Sequence, residues 1–131
     1  MRYALLVHYE EMTEAELGKE ALADGMAAFD AYAKALDESG ALVSAEVLQS
    51  VAKSTTVTLR EGSLKVQDGP FADTKEQLGG TFVIDVPDLD AALAWAEKCP
   101  AAQYGVVEIR PSAMLFKDGQ WQGEFDRSTT A

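Results

Sequence analysis

The one histidine of this chain, His8, is the first residue whose type suggests chemistry. Histidine exchanges a proton near neutral pH more readily than other side chains. Residues 3–9 form an apolar run short enough to be a buried strand, and alternate residues of a strand point to one side of a sheet. On the last predicted strand, Glu108 and Arg110 share the side of His8. A histidine oriented by Glu108 can act as a general base. Alternatively, His8 only fills a strand end with its hydrogen bonds satisfied.

A second polar cluster lies in the stretch DGPFADTKEQLGG, residues 68–80. Glycine tolerates positive φ and proline fixes the next φ, so this stretch begins with a turn. We expect Asp68 to close the turn by accepting a hydrogen bond from the backbone N–H of Phe71 or a later residue. Phe71 would then anchor the loop to the core, and the following charged residues would project into a pocket: Asp73, Lys75 and Glu76. Alternatively, these charged side chains are only solvated.

Few residues are suited to bind a metal ion or to act as a nucleophile. One histidine and one cysteine, with no closely spaced ligand pair, cannot build a His/Cys zinc site, although a carboxylate-rich site stays open. Cys99 follows a predicted helix and has no evident basic partner, so we expect a packed thiol. No metal or cofactor is predicted. The catalytic candidates are His8, Asp73 and Glu76, and the predicted ligand-binding residues are His8, Asp68, Phe71, Asp73, Lys75, Glu76, Glu108 and Arg110.

The composition limits the class of protein. A chain of 131 residues, 47% hydrophobic and 25% charged, is typical of one soluble domain with a real core. The net charge of −11 repels phosphate backbones and anionic membranes, so we expect no nucleic-acid or membrane partner. A lone cysteine fits a reducing compartment, and the first residues lack the pattern of a signal peptide. The sequence therefore predicts a cytoplasmic protein.

The predicted elements follow the order β-α-β-(hairpin)-β-α-β. Residues 10–25 read as a loop with a loose helical turn, and residues 112–131 as an edge hairpin or a tail outside the main domain, residues 1–111. Predicted strands cover residues 3–9, 41–51, 54–60, 63–67, 81–86 and 105–110, and helices cover residues 26–39 and the segment from Asp88 to Pro100. This order predicts an α+β, ferredoxin-like split βαβ fold with an inserted hairpin.

Alternation along the central strands separates two faces. One is wholly apolar and must lie under the helices: Leu5, Val7, Phe82, Ile84, Val107 and Ile109. The other is mixed: Ala4, Leu6, His8, Thr81, Val83, Asp85, Val106, Glu108 and Arg110. We expect an identical chain to cover this mixed face and to enclose a polar-lined cavity, which makes the protein a homodimer. Alternatively, the face is exposed to solvent, as in many antiparallel sheets.

Together with FVIDV (82–86), LDAALAWA (89–96) and VEIRP (107–111), the 68–80 stretch closely resembles the DGPF-type proteins of the YCII-related family. The likeness runs from residue 1 to about residue 111. It implies the dimeric α/β-barrel version of the ferredoxin-like fold in small bacterial proteins without an established reaction. Members of this type are often encoded beside sigma factors of the extracytoplasmic-function class, which implies a regulatory association.

One departure from the family matters for the chemistry. In family members with a proposed active site, a histidine early in the first helix pairs with an aspartate just after the second. Phe29 and Cys99 stand at or near these positions here, so the dyad cannot be carried over. We therefore expect a homodimer that binds a small molecule and acts in regulation with a sigma factor. The alternative is a small enzyme that performs acid-base chemistry on a metabolite.

Overall fold

The structure is a computed structural model, and it describes residues 1–125. In chain order its elements are β1 (Arg2–Tyr9), α1 (Glu14–Leu17), α2 (Lys19–Ser39), β2 (Leu42–Val47), a 3-10 helix (Val51–Lys53), β3 (Thr55–Arg60), β4 (Ser63–Asp68), β5 (Gln77–Asp85), α3 (Leu89–Lys98), a second 3-10 helix (Pro100–Gln103), β6 (Val106–Pro111), β7 (Met114–Lys117) and β8 (Gln120–Gly123).

The central sheet has the strand order β2-β5-β1-β6, and all its pairs are antiparallel. The two longer helices, α2 and α3, connect strands of this sheet, and the β3–β4 hairpin is inserted between β2 and β5. The predicted α+β class is confirmed, and the topology is compatible with the ferredoxin-like arrangement.

The core lies between one face of this sheet and the two longer helices. Leu5, Val7, Phe82 and Ile84 are buried, and Val107 and Ile109 pack against them as predicted from alternation. From the helices, Tyr32 and Leu36 of α2 and Ala92 and Ala96 of α3 join this cluster. The Tyr32 hydroxyl donates a hydrogen bond of 2.7 Å to the carbonyl of Trp95, so a polar contact also ties α2 to α3.

The predicted boundaries of α3 are confirmed by its capping. Asp88 is the N-cap, and its carboxylate accepts a hydrogen bond of 3.0 Å from the Ala91 N–H. Lys98 is the last helical residue, two positions before Pro100. Proline cannot continue an α-helix, because it lacks the backbone N–H that the helix needs.

The start of the first long helix was predicted wrongly. Residues 10–13 are a loop, and α1 is a single helical turn that Thr13 caps together with Glu16, but α2 already begins at Lys19. The additional turns of α2 contain good helix formers, but most of their side chains are exposed. Without a buried stripe, the apolar spacing that indicates a helix does not reach back beyond Met26.

Two strands also differ from their predicted lengths. β2 ends at Val47 because Ser50 caps the 3-10 helix at Val51–Lys53. β5 begins at Gln77 rather than Thr81, because Gly79 and Gly80 continue the strand instead of ending it.

Two separate two-stranded sheets complete the described part of the chain. The β3–β4 hairpin is confirmed with its predicted Glu61–Gly62 turn, whose two residues have φ of 51° and 75°. We call this hairpin the arm, since its packing is almost entirely internal. β7 and β8 form a second hairpin, in which Phe116 contacts Trp121 at 5.2 Å between ring centroids. The prediction for residues 126–131 lies outside the described residues. No helix within residues 1–125 has both the length and the apolar character needed to cross a membrane.

Candidate functional site

His8 and Glu108 meet on the mixed face of the central sheet. The imidazole Nε2 lies 3.5 Å from the Glu108 Oε1. The register explains this contact: His8 lies opposite Val106, and Glu108 lies opposite Leu6, so the two polar side chains are diagonal neighbours. The His8 side chain is 28% exposed and that of Glu108 is 51% exposed. The pair is therefore half-buried and still accessible to a small molecule.

Arg110 does not join this pair. It lies opposite Ala4, one pairing further along the same face, and it forms no ion pair within residues 1–125. Its guanidinium is therefore free to bind an anion or a carboxylate from another molecule.

The mixed face also carries Thr81 and Asp85, and its aliphatic side chains are incompletely covered. Leu6 and Val83 are half-buried, and Val106 is 49% exposed. A histidine–carboxylate pair beside aliphatic side chains combines a proton acceptor with a surface from which water is easily displaced.

The turn at the start of the 68–80 stretch is closed differently from the prediction. Gly69, at φ 105°, donates its N–H to the Ser54 carbonyl at 2.8 Å, and the Thr56 hydroxyl donates to the Gly69 carbonyl at 2.7 Å. The Asp68 carboxylate has no hydrogen-bond partner within residues 1–125. The predicted closure by Asp68 is therefore wrong, because the Thr56 hydroxyl and a backbone bond already hold the turn.

The predicted role of Phe71 as an anchor is also wrong. Its side chain is 89% exposed, and it lies outside the hydrophobic core. The turn needs no aromatic anchor, since both of its hydrogen bonds come from the start of the arm. Phe71 is instead an accessible ring next to the arm.

The second half of the stretch is held by two side chains that the sequence did not single out. The Thr74 hydroxyl donates to the Glu76 carbonyl at 2.7 Å, and the buried Gln77 amide donates to the Thr74 carbonyl at 2.7 Å. The sequence signal for this role is an uncharged amide at the first position of a largely apolar strand. The charged side chains between the turn and the strand are exposed, without ion pairs within residues 1–125: Asp73, Lys75 and Glu76.

The two glycines at the end of the stretch are required by packing. A Cβ on Gly79 would overlap the ring of Tyr9, and a Cβ on Gly80 would lie 2.8 Å from the Glu46 carbonyl oxygen. Tyr9 also contacts Tyr104 edge to face at 6.4 Å, and burial raises the pKa of both phenols. Part of the stretch is thus structural, whereas its exposed ring and charges are free to contact a ligand.

Phe29 and Cys99 belong to the core rather than to a site. The Phe29 ring stacks on Phe82 with centroids 6.4 Å apart and planes 7° apart. Phe29 lies in the middle of α2, because the helix starts at Lys19. Cys99 is 1% exposed, and burial raises the pKa of its thiol, as expected for a packed cysteine. Within residues 1–125, no three His, Cys, Asp or Glu side chains are grouped to hold a metal ion.

Comparison with known proteins identifies the family to which this chain belongs. The chain is 37% identical over 124 residues to an uncharacterized protein of Rhizobium meliloti (strain 1021), and the match covers 92% of this chain and 98% of that protein. The sequence model of the YCII-related domain matches residues 1–113, which include the central sheet, the arm and both longer helices. The chain therefore belongs to the YCII-related domain family.

Proposed function

We propose that the protein is a homodimer that binds a small molecule in a polar-lined cavity between the mixed sheet faces of its two copies. The observation that carries this proposal is the His8–Glu108 pair, at 3.5 Å, on a face that also carries accessible aliphatic side chains. In the dimer, this pair and Arg110 offer a small polar molecule hydrogen-bond donors and acceptors inside an apolar enclosure.

An exposed aliphatic face supports inclusion of the arm in the interface. The arm carries a second accessible apolar surface on one of its faces: Val57, Leu59, Leu64 and Val66. A hairpin of two strands is marginally stable alone, so cover by the second copy stabilises the arm as well.

Light scattering and native mass spectrometry test the two parts of this proposal. Light scattering at micromolar concentration should give twice the mass of 14.1 kDa. Native mass spectrometry should then detect a co-purified small molecule on the dimer, and His8→Gln should lower its occupancy. A monomeric mass would contradict the dimer, and an unaltered occupancy in His8→Gln would contradict the assigned cavity.

The same contact favours a second candidate function. With Glu108 to orient its imidazole, His8 can accept a proton from a bound substrate, which makes acid-base catalysis on a small metabolite the alternative. Asp73 and Glu76 are the other candidates for proton transfer. The molecule identified by mass spectrometry should be incubated with a substoichiometric amount of the protein, and its NMR spectrum should be followed over time. Conversion that is lost in His8→Gln would support an enzyme, whereas an unchanged spectrum would support a binding protein.

A regulatory role with an extracytoplasmic-function sigma factor is part of the proposal, and its support is the family resemblance. The proposal places the protein in the cytoplasm, where a buried, reduced Cys99 is expected. A sigma factor encoded beside this chain should co-elute with it in size-exclusion chromatography. Separate elution at micromolar concentration would remove the regulatory part and leave ligand binding unaffected.

A further inference from the structure

The polar face of the arm forms a groove that the proposed function does not use. The groove is open to solvent and has a volume of about 460 Å³. Alternation along β3 and β4 places the aliphatic side chains of the arm on its other face. The polar side chains lie on the face of the groove: Thr56, Thr58, Arg60, Ser63, Lys65 and Gln67. Because the two faces point apart, cover of the aliphatic face by a second copy leaves the groove open.

One end of the groove carries two cations without partners. Arg60 lies opposite Ser63 and Lys65 lies opposite Thr58, so the two cations are diagonal neighbours on the same face. Neither forms an ion pair within residues 1–125. Like charges at this spacing repel each other, and here they do so in a chain whose net charge is −11. A bound anion would remove this repulsion.

The other end of the groove carries an aromatic ring. The hydrogen bond from the Thr56 hydroxyl to the Gly69 carbonyl holds the turn against this face, and Pro70 and Phe71 become part of the groove lining. Because Phe71 is 89% exposed, its ring is available to a planar group.

The spacing of the two ends defines the length and orientation of a ligand. Arg60 and Thr56 are four residues apart on one strand, which corresponds to about 13 Å. Arg60 and Lys65 lie at one end of the groove and Phe71 at the other. An anionic group is therefore favoured at the end that contains Arg60 and Lys65.

We propose that this groove binds an elongated organic anion, with a carboxylate or phosphate group between Arg60 and Lys65 and a planar ring against Phe71. Arginine provides a fork of donors for either oxyanion, and lysine adds a point charge. The hydroxyls of Thr58 and Ser63 lie directly opposite these cations and can donate further hydrogen bonds.

Titrations with small probes test this proposal. The probes are 2-naphthoate and 2-naphthyl phosphate, with neutral 2-naphthamide and ring-free acetate and inorganic phosphate as comparisons. At least one naphthyl anion should saturate the protein with a Kd at least tenfold below that of every comparison, and the tighter of the two identifies the preferred oxyanion. No saturation by either anion at millimolar concentration, or equal binding of 2-naphthamide, would overturn the proposal.

Variants test whether the naphthyl anions bind in the groove. The double variant Arg60→Gln/Lys65→Gln should lower the affinity for the naphthyl anion at least tenfold. Phe71→Ala should lower this affinity toward that of the ring-free anion. All three positions are exposed, so circular dichroism should show an unchanged fold. The control Lys19→Gln/Lys117→Gln makes the same change in charge away from the groove and should bind normally. Equal weakening in the control would overturn the assignment to the groove.

The variant His8→Gln separates this site from the proposed cavity. Because His8 lies on the central sheet and not in the groove lining, it should leave the affinity for the naphthyl anions unchanged. Loss of probe binding in His8→Gln would overturn the assignment of these anions to the arm.

Discussion

At the scale of single residues, the packing of Phe29 and Cys99 makes it costly in stability to introduce the family's proposed dyad. Phe29→His would replace a ring that stacks on Phe82, and Cys99→Asp would put a carboxylate at a position 1% exposed. We expect the double variant to lose about 3 kcal/mol or more of unfolding free energy, without gain of activity. Thermal melting measures the loss, and Cys99→Ala is the control, which should cost much less. An unchanged melting temperature in the double variant would show that these residues are not core.

The buried Cys99 thiol also predicts how stability depends on pH. Burial raises its pKa above the ordinary 9.0, and burial likewise raises the pKa of Tyr32 above the ordinary 10.0. The folded state thus holds these protons more tightly than the unfolded state. Their contribution to stability is complete below pH 9.0 and is lost as the pH rises through the raised values.

Urea unfolding at a series of alkaline pH values measures this contribution. The free energy of unfolding should fall above pH 9.0, and it should fall less steeply in Cys99→Ala, which has no thiol proton to lose. Identical slopes in the two proteins would mean that the thiol of the native chain ionises as readily as that of the unfolded chain.

The sequence predicts the position of a site residue well when the residue lies in a regular strand, and poorly when it lies in a loop. The His8–Glu108 contact followed from strand alternation, since both residues lie in paired strands of the central sheet. Phe71 was misassigned because it lies in a loop, where no periodicity indicates which way a side chain points. The turn before it is held by a hydrogen bond between Thr56 and Gly69, which lie 13 residues apart in sequence.

At the scale of elements, Gly79 allows β1 and β5 to pair across an irregularity in register between Val7 and His8. Gly79→Ala should destabilise the protein by about 1–3 kcal/mol, because the new methyl group would overlap the Tyr9 ring. Gly25→Ala is the matched control. It lies inside α2 with open space around a Cβ, and should stabilise the protein by about 0.5–1 kcal/mol.

A double-mutant cycle assigns the cost of Gly79→Ala to the Tyr9 ring. In a Tyr9→Ala background the overlapping ring is absent, so Gly79→Ala should cost clearly less than in the natural chain. Chemical denaturation of the four proteins measures the coupling energy. Equal costs in both backgrounds would show that another contact requires this glycine.

Elements were predicted where local chemistry marks their ends. Asp88 and Pro100 bracket α3, and Glu61–Gly62 mark the turn of the arm. The start of α2 was missed because its first turns are exposed and lack an apolar stripe. The start of β5 was missed because a pair of glycines usually indicates a turn. Only the close approach of Tyr9 and Glu46 shows why glycine is needed inside this strand.

At the scale of the whole molecule, the proposed dimer distinguishes two equally exposed aliphatic residues. Val106 on β6 and Leu93 on α3 are each 49% exposed, but Val106 lies on the mixed face and Leu93 on a helix of the opposite layer. Val106→Glu would place a carboxylate in the proposed interface. The cost of removing this charge from water then opposes association.

We expect the natural chain and Leu93→Glu to be dimers by light scattering at micromolar concentration, and Val106→Glu to be a monomer or to dissociate at least tenfold more readily. Leu59→Glu, on the aliphatic face of the arm, should weaken the dimer in the same direction, because the proposed interface includes that face. If Leu59→Glu left the dissociation constant unchanged while Val106→Glu raised it, the interface would exclude the arm. If Leu93→Glu alone produced monomers, the copies would instead associate through their helices.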